Sequence, residues 1–112
     1  MAILPGSYNI LLQRRADYSI TLQFKDSTGS AINLTAWSAA AQIWSKNRDT
    51  KYADFAVYYT DRSAGTIAIS LTDVQTTSLP DEAYYDVLLT DQNGLKEYYL
   101  EGIVTVSEGY TA

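Results

Sequence analysis

The side chains that carry most enzyme chemistry are missing from this sequence. Its 112 residues include no His and no Cys, which removes imidazole bases, thiolate nucleophiles, disulfides and the metal sites built from those ligands. A serine nucleophile would lack a conventional base, and no glycine-rich phosphate loop or dinucleotide fingerprint occurs. We therefore expect a protein that is not an enzyme and that needs no cofactor and no metal ion.

Carboxylates are the remaining candidates for chemistry. Glu97 and Glu101 fall on one side of one predicted strand, about 13 Å apart at roughly 3.3 Å per residue, which exceeds the roughly 5 to 9.5 Å that a glycosidase needs. A tight turn at Asn93-Gly94 would set Asp86 directly opposite Glu101, and like charges at facing positions destabilise a sheet. Three explanations stay open: a bulge shifts the register, an arginine or lysine intervenes, or an oxygen-liking cation such as calcium binds.

The elements that must position these groups are β-strands. From Asp17 to Lys25 apolar and polar residues alternate, as expected for a strand with one buried and one solvated face. Similar alternation predicts further strands at residues 8–13, 37–44, 52–60, 66–71, 84–90 and 96–106. Seven or eight short strands at this spacing indicate a single all-β domain over residues 1–112, built as a sandwich or a small barrel.

Three connections between these strands start with Asp and end with Gly. They are residues 26–29, 61–65 and 91–94. We expect the Asp carboxylate to accept hydrogen bonds from its own turn and the Gly to take the left-handed conformation. The last connection contains Asn93-Gly94, which predicts a two-residue type I′ hairpin turn. In that register Leu89 faces Tyr98 on the inner side of the sheet.

The net charge of −5 argues against two classes of partner. A protein that neutralises nucleic-acid phosphates or lies on anionic lipid usually carries an excess of Lys and Arg. No apolar run approaches the roughly 18 residues needed to cross a bilayer, and the N-terminus lacks the basic start of a secretory signal. We expect no nucleic-acid partner, no membrane partner and synthesis in the cytoplasm.

The side of the sheet that faces away from the core is rich in aromatic residues. With the same turn, Tyr84 lies opposite Ile103 and Leu88 lies opposite Tyr99. If neighbouring predicted strands belong to the same sheet, further aromatic residues join them and form a surface typical of a docking interface. The predicted interface residues are Trp44, Tyr52, Tyr58, Tyr84, Leu88, Tyr99 and Ile103. The alternative is that loops or the N-terminal segment cover some of these side chains.

The segment DEAYYDV at residues 81–87 resembles the start of strand F in immunoglobulin-type domains. The resemblance implies an immunoglobulin-like antiparallel β-sandwich of seven to eight strands. It also implies a tyrosine corner, in which the Tyr85 hydroxyl bonds to the backbone of the preceding crossover. Val87 would then stand in the place of one family cysteine, with Leu22 in the layer of the other. Trp37 would be the core tryptophan of strand C.

Taken whole, the chain resembles small virion proteins of tailed phages. The likeness is carried by LPGSYNILLQRRADYSITLQFKD at the start, INLTAW and AAQIW in the middle, and YYLEGIVTVSEGYT at the end. The middle portion is also similar to the N-terminal immunoglobulin-like domain of the phage upper baseplate protein, although Ala36 stands where that family has Gly. The resemblance implies a structural protein of the virion, made in the bacterial host cytoplasm and placed at the tail, baseplate or fibre attachment. Its partners would be other virion proteins and copies of itself.

Two alternative functions stay open. A capsid decoration or cement protein on the phage head would suit a single sandwich domain as well. A carbohydrate-binding module, in which exposed Trp44 and tyrosines stack on sugar rings, is a function of another class. Both virion roles imply many copies per particle, where repeated contacts compensate for modest individual interfaces.

Overall fold

In a computed structural model, residues 6–26 and 28–108 are described and form a sandwich of two sheets. Residues 1–5, 27 and 109–112, which include the outer ends of the predicted domain and of the first and last phage-like segments, lie outside the described residues. The elements in chain order are β1 (Gly6–Ser7), β2 (Ile10–Gln13), β3 (Tyr18–Gln23), β4 (Ser38–Trp44), β5 (Lys51–Asp54), β6 (Ala56–Asp61), β7 (Thr66–Leu71), α1 (Asp73–Thr77), β8 (Glu82–Thr90) and β9 (Lys96–Ser107).

The two sheets enclose one hydrophobic core. The larger sheet has six strands in the order β1–β9–β8–β4–β5, with β2 also paired to β9, and the smaller sheet has the order β3–β7–β6. Apolar residues at alternating strand positions point between the sheets. Those with no exposed surface include Ile43, Ile67, Ile69, Val87 and Val104. The all-β sandwich expected from the alternation is confirmed.

The stretch predicted as one strand, 52–60, is two strands in different sheets. β5 pairs with β4 in the larger sheet, and β6 pairs with β7 in the smaller one. Phe55 lies between them, is 5% exposed and packs edge-on against Tyr85 at a centroid distance of 6.1 Å. Because the side chains alternate in the same phase on both sides of this crossing, a sequence pattern does not reveal it.

The first predicted strand, 8–13, is shortened to β2, and the short strand β1 precedes it. β1 and β2 both run parallel to β9, in one register that begins with Gly6 opposite Leu100. Between them the Tyr8 carbonyl oxygen accepts a hydrogen bond from the Tyr85 hydroxyl at 2.5 Å. Gly102 is required here, because a Cβ at this position would lie well inside the contact distance of the Tyr8 carbonyl. The division of 52–60 and the additional strand β1 account for nine strands where seven were predicted.

The Asp-to-Gly turns form as expected. Asp26, Asp61 and Asp91 each accept hydrogen bonds from backbone N–H groups of their own turns. The glycines that close these turns have positive φ angles between 70° and 86°.

The crossover between β7 and β8 contains α1, capped by reciprocal hydrogen bonds of Thr72 and Gln75. Among the described residues, no helix has the length and apolar character that a membrane span requires.

The hairpin between β8 and β9 has a longer turn than expected. Asn93 does not take a positive φ, and the Asp91 carboxylate accepts hydrogen bonds from the N–H groups of Asn93 and Leu95. A connection over residues 91–95 therefore replaces the predicted type I′ turn. Near this turn the pairing is displaced by one residue, so Leu89 faces Glu97 and not Tyr98.

A bulge in the hairpin restores the expected register further from the turn. Leu88 lies opposite Tyr98, and the residue before it, Val87, lies opposite Leu100. Tyr99 is the extra residue between these two pairs. The longer turn displaces the pairing by one residue and the bulge reverses this displacement, so the pairs from Val87 onward agree with the sequence-based register.

Candidate functional site

The outward side of the larger sheet carries three rows of side chains that cross β4, β8 and β9. Each row consists of residues at facing positions of the paired strands. The rows are Trp44–Tyr84–Ile103, Gln42–Asp86–Glu101 and Ala40–Leu88–Tyr98. An acidic, polar row is therefore bordered on both sides by an apolar and aromatic row.

These rows line a groove with a volume of about 630 Å³. Ser7 and Asn9 contribute to its lining from the N-terminal segment, and Lys46 and Arg48 contribute from the loop between β4 and β5. Both segments border the groove without covering it, since Tyr98 remains 50% exposed. The outward face is thus a concave surface with aromatic side chains accessible in it, of the type that binds a ligand or a partner.

Trp44 is held in a defined orientation in the first row. Its Nε1–H donates to Gln42 Oε1 at 2.9 Å, and Gln42 Nε2 donates in turn to Asp54 Oδ1 at 2.9 Å. The Arg48 guanidinium lies over the Trp44 ring, 4.9 Å from its centroid, as a cation–π contact. One face of the indole is therefore already in contact with a side chain of the same chain.

The central row brings two carboxylates face to face. Asp86 lies directly opposite Glu101. Burial, and next the charge of Glu101, raises the pKa of Asp86, while Arg48 partly opposes the shift. Within residues 6–26 and 28–108, no Lys or Arg nitrogen lies within 4.0 Å of either carboxylate. The pair is therefore a local concentration of negative charge on a partly buried surface.

Two of the three explanations considered for this pair now have a structural outcome. A bulge is present, but it lies between the turn and the pair and does not separate the two charges. An arginine does act on Asp86, since Arg48 lowers its pKa, but it forms no ion pair with it. In the part of the chain that the structure describes, no group of three or more acidic side chains could hold a metal ion.

Tyr99 lies on the inner side of the sheet, and its predicted place on the outward side is wrong. The bulge turns it inward, where its ring packs edge-on against Phe24 at a centroid distance of 6.0 Å. Burial, with a hydrogen bond to Glu97 as the second cause, raises the pKa of Tyr99 to about 12. Tyr98 takes its place in the groove. The error comes from the assumed two-residue turn, because a register shift of one residue sets every side chain of β9 near the turn on the wrong side.

Two other tyrosines do not belong to the contiguous surface that the sequence predicted. Tyr58 is 60% exposed but lies on β6 in the smaller sheet, because the chain changes sheets at Phe55. Tyr52 is in the larger sheet, but it packs partly buried against the core and is not part of the groove lining. The predicted interface residues that do line the groove are Trp44, Tyr84, Leu88 and Ile103.

The residues that the immunoglobulin resemblance placed in the core are all at least partly buried. Val87 is fully buried, while Leu22 and Trp37 pack against the margin of the core. Trp37 precedes β4 and is not within it. Tyr85 is buried, which raises its pKa, but its hydroxyl bonds to Tyr8 in the N-terminal segment. The predicted bond to the crossover is therefore wrong.

Several groove residues were missed in the sequence, among them Gln42, Asn9 and Tyr98. Gln42 could have been found, because it alternates with Ile43 and shares the outward side with Trp44. Asn9, whose Oδ1 accepts a hydrogen bond from the Ile103 N–H at 3.1 Å, depends on the parallel pairing of the N-terminal segment and has no local signal. The outward position of Tyr98 depends on the register between the turn and the bulge.

A second, smaller cavity of about 350 Å³ lies beside the hairpin turn. Its lining includes Asp26, Trp37, Asp91 and Glu97. Asp26 and Asp91 already accept hydrogen bonds from their own turns, so their carboxylates serve turn formation. The larger groove is the better candidate for a binding site, because its aromatic and acidic side chains have no comparable structural role.

Comparison with known proteins bears on the fold. No protein-family model matches the chain, and no curated protein matches its sequence. Among solved structures, the crystal structure of the Lin-41 filamin domain is similar, with a TM-score of 0.50, 17% sequence identity and coverage of 88% of this chain and 84% of that chain. At this identity the similarity establishes a shared fold alone. The fold of this chain is an immunoglobulin-like β-sandwich.

Proposed function

We propose that this protein is a structural component of a phage virion and that it docks against neighbouring virion proteins through the groove of its larger sheet. The observation that carries the docking function is the groove itself, a concave surface in which Trp44, Tyr84, Leu88 and Tyr98 are partly accessible. The phage assignment is supported by the likeness of the first, middle and last segments to small virion proteins.

The composition of the groove fits a protein partner. Protein interfaces are enriched in Trp and Tyr, and a few well-packed aromatic residues usually carry most of the binding energy. Two apolar rows on adjacent strands present such residues on a rigid sheet. A rigid surface loses little conformational entropy when a partner binds. In a particle with many copies, avidity strengthens the overall attachment although each contact stays the same.

Within the particle, we place the protein first at the tail, the baseplate or a fibre attachment. A capsid decoration protein on the head is the alternative location, because a single sandwich domain with one docking groove serves either position. The same groove would then contact capsid proteins. Cryo-electron microscopy of particles distinguishes the two locations directly.

Mass spectrometry of purified virions tests the virion role. We expect the protein in fixed stoichiometry with the other particle proteins, and its absence from particles would end the proposal. Leu88→Glu, which places a charge in the third row of the groove, should prevent incorporation. Tyr58→Glu changes an aromatic residue that is 60% exposed on the opposite sheet and serves as the matched control that should still incorporate.

Carbohydrate binding is a second candidate function, because the groove is concave and sets amide and carboxylate groups between aromatic residues. Sugar rings stack on open aromatic faces, however, and Arg48 already covers one face of Trp44. This contact is why we favour a protein partner. Retardation on glycan gels that is lost in Trp44→Ala and kept in Tyr58→Ala would favour the carbohydrate function instead.

A further inference from the structure

The middle of the groove combines negative charge with aromatic neighbours. Asp86 and Glu101 occupy directly facing positions of β8 and β9, where the Cβ atoms of an antiparallel pair lie about 4.5–5.5 Å apart. Tyr84 lies in the row on one side of this pair, and Tyr98 lies in the row on the other side. A group bound between the two carboxylates would therefore have the row of Tyr84 on one side and the row of Tyr98 on the other.

The arginines of the chain are engaged elsewhere, and Lys46, which also lines the groove, lies more than 4.0 Å from both carboxylates. Arg14 and Arg15 form ion pairs with acidic residues near the ends of the sandwich. Arg62 donates to two backbone carbonyls and lies over the Tyr59 ring. Arg48 is on the rim of the groove, but its guanidinium lies over Trp44. Among the described residues, the facing carboxylates have no ion-pair partner.

Facing like charges on a sheet cost stability, and partial burial adds a desolvation cost. The raised pKa of Asp86 has both causes. A cation that entered the groove from outside would offset both costs at once, because it would screen the repulsion and replace the lost hydration with hydrogen bonds. The two facing carboxylates therefore favour a positively charged group bound between them.

We propose that the groove receives an arginine side chain from the neighbouring virion protein, and that its guanidinium bridges Asp86 and Glu101. This inference rests on the proposed docking function and names the chemistry of the partner. The guanidinium presents N–H donors in a planar fork that reaches two carboxylates together, and its faces stack on aromatic rings. Arginine is also one of the residues that most often dominate binding energy at interfaces.

Other occupants fit this position less well. Calcium takes six to eight oxygen ligands. Gln42 Oε1 already accepts the Trp44 Nε1–H, so only the two carboxylates remain as ligands in this row. A neutral sugar would not offset the repulsion between Asp86 and Glu101. A lysine ammonium carries the charge, but it lacks the planar fork and the stacking faces.

Titration of the full 112-residue chain with a capped glycine–arginine–glycine tripeptide tests this inference. Amide chemical shifts in ¹⁵N–¹H spectra report where the peptide binds and how tightly. We expect shifts at Tyr84, Asp86, Tyr98 and Glu101, weaker binding of the lysine peptide, and no binding of the citrulline peptide, which keeps the shape and lacks the charge. Asp86→Asn or Glu101→Gln should weaken arginine binding about tenfold or more, the effect of losing a charge-assisted hydrogen bond.

Glu82→Gln is the matched control, because Glu82 is an exposed carboxylate on the same strand that lies outside the groove lining. It should bind the arginine peptide as the wild type does. The inference is overturned if the citrulline peptide binds equally well, if Asp86→Asn leaves the affinity unchanged, or if calcium or a maltooligosaccharide occupies the same residues more tightly than arginine.

This test separates the inference from the function on which it rests. If the arginine peptide does not bind while Leu88→Glu still prevents incorporation into particles, the arginine partner is wrong and the docking function stands. If the peptide binds but the protein is absent from purified particles, the virion function is wrong and the recognition of arginine by the groove stands.

Discussion

Leu88 of β8 lies opposite Tyr98 of β9, one residue nearer the turn than a two-residue hairpin would place its partner. The bulge that follows gives two adjacent tyrosines different positions. Tyr98 lines the groove, and Tyr99 packs against Phe24 at the core. This local irregularity therefore decides which aromatic side chain is available to a partner.

The first prediction concerns these two tyrosines. Tyr99→Ala should lower the free energy of unfolding by about 2–5 kcal/mol, because it leaves a cavity beside the core. Tyr98→Ala should change it by less than about 0.5 kcal/mol, since its ring packs on the surface, while it weakens incorporation into particles. Urea denaturation followed by tryptophan fluorescence measures both values. Equal losses of stability would contradict the inward position of Tyr99.

The second prediction concerns the facing carboxylates. Asp86→Asn should raise the free energy of unfolding at neutral pH by about 0.5–1 kcal/mol, because it removes one of two like charges at directly opposed positions. The same substitution should weaken arginine binding. The wild-type pair would then bind arginine more tightly and lower the stability of the fold. Glu82→Gln, which faces Thr105 and not a carboxylate, is the control and should give no such gain.

The gain from Asp86→Asn should also depend on pH. The folded-state pKa of Asp86 is raised above its unfolded value, so the folded protein takes up this proton first as the pH falls. The contribution of Asp86 to stability therefore improves as the pH falls through the folded-state pKa. The difference between variant and wild type should shrink over that range, as denaturation curves from about pH 7 to about pH 4 would measure. A constant difference would contradict the assignment.

The third prediction concerns the crossing of the N-terminal segment over β9. Gly102→Ala should destabilise the protein by about 2 kcal/mol or more, because its Cβ would displace the Tyr8 carbonyl. Gly6→Ala is the control, since its Cβ would meet Leu100 at an ordinary distance of 3.6 Å. Hydrogen exchange should show loss of protection at the Tyr8 amide, which bonds to the Glu101 carbonyl, in the first variant alone.

The fourth prediction concerns the Tyr85 hydroxyl. Tyr85→Phe should lower the free energy of unfolding by about 1–3 kcal/mol, because it leaves the Tyr8 carbonyl without its buried donor. Thermal denaturation measures the loss. Tyr84→Phe, one residue earlier and in the groove, should leave stability close to that of the wild type. No loss in Tyr85→Phe would mean that the hydroxyl does not anchor the N-terminal segment.

The fifth prediction concerns Ala36. Its φ angle is 67°, in the left-handed region. Ala36→Gly should therefore raise the free energy of unfolding by about 1 kcal/mol, since a non-glycine residue is strained there. Ala40→Gly, in the middle of β4, should lower it by about 0.5–1 kcal/mol. The opposite signs, measured by chemical denaturation, distinguish backbone strain from loss of a methyl group.

Several features of the groove follow from sequence alone. Alternation in β4 and β8 places Trp44, Tyr84 and Leu88 on the side away from the core, and the structure agrees. The facing of Asp86 and Glu101 was also predicted from the hairpin. These inferences hold because a strand sets its side chains on alternate sides by local geometry, whatever lies next to it.

The sequence by itself determined the all-β class, the phase of the strands except at the turn end of β9, and the Asp-to-Gly turns, because these depend on neighbours along the chain. The tertiary structure decided that the chain changes sheets at Phe55, that the N-terminal segment pairs in parallel with β9, and that Tyr99 turns inward. Each of these outcomes depends on contacts between residues distant in sequence. Their free energies come from core packing and cross-strand hydrogen bonds, which no local pattern contains.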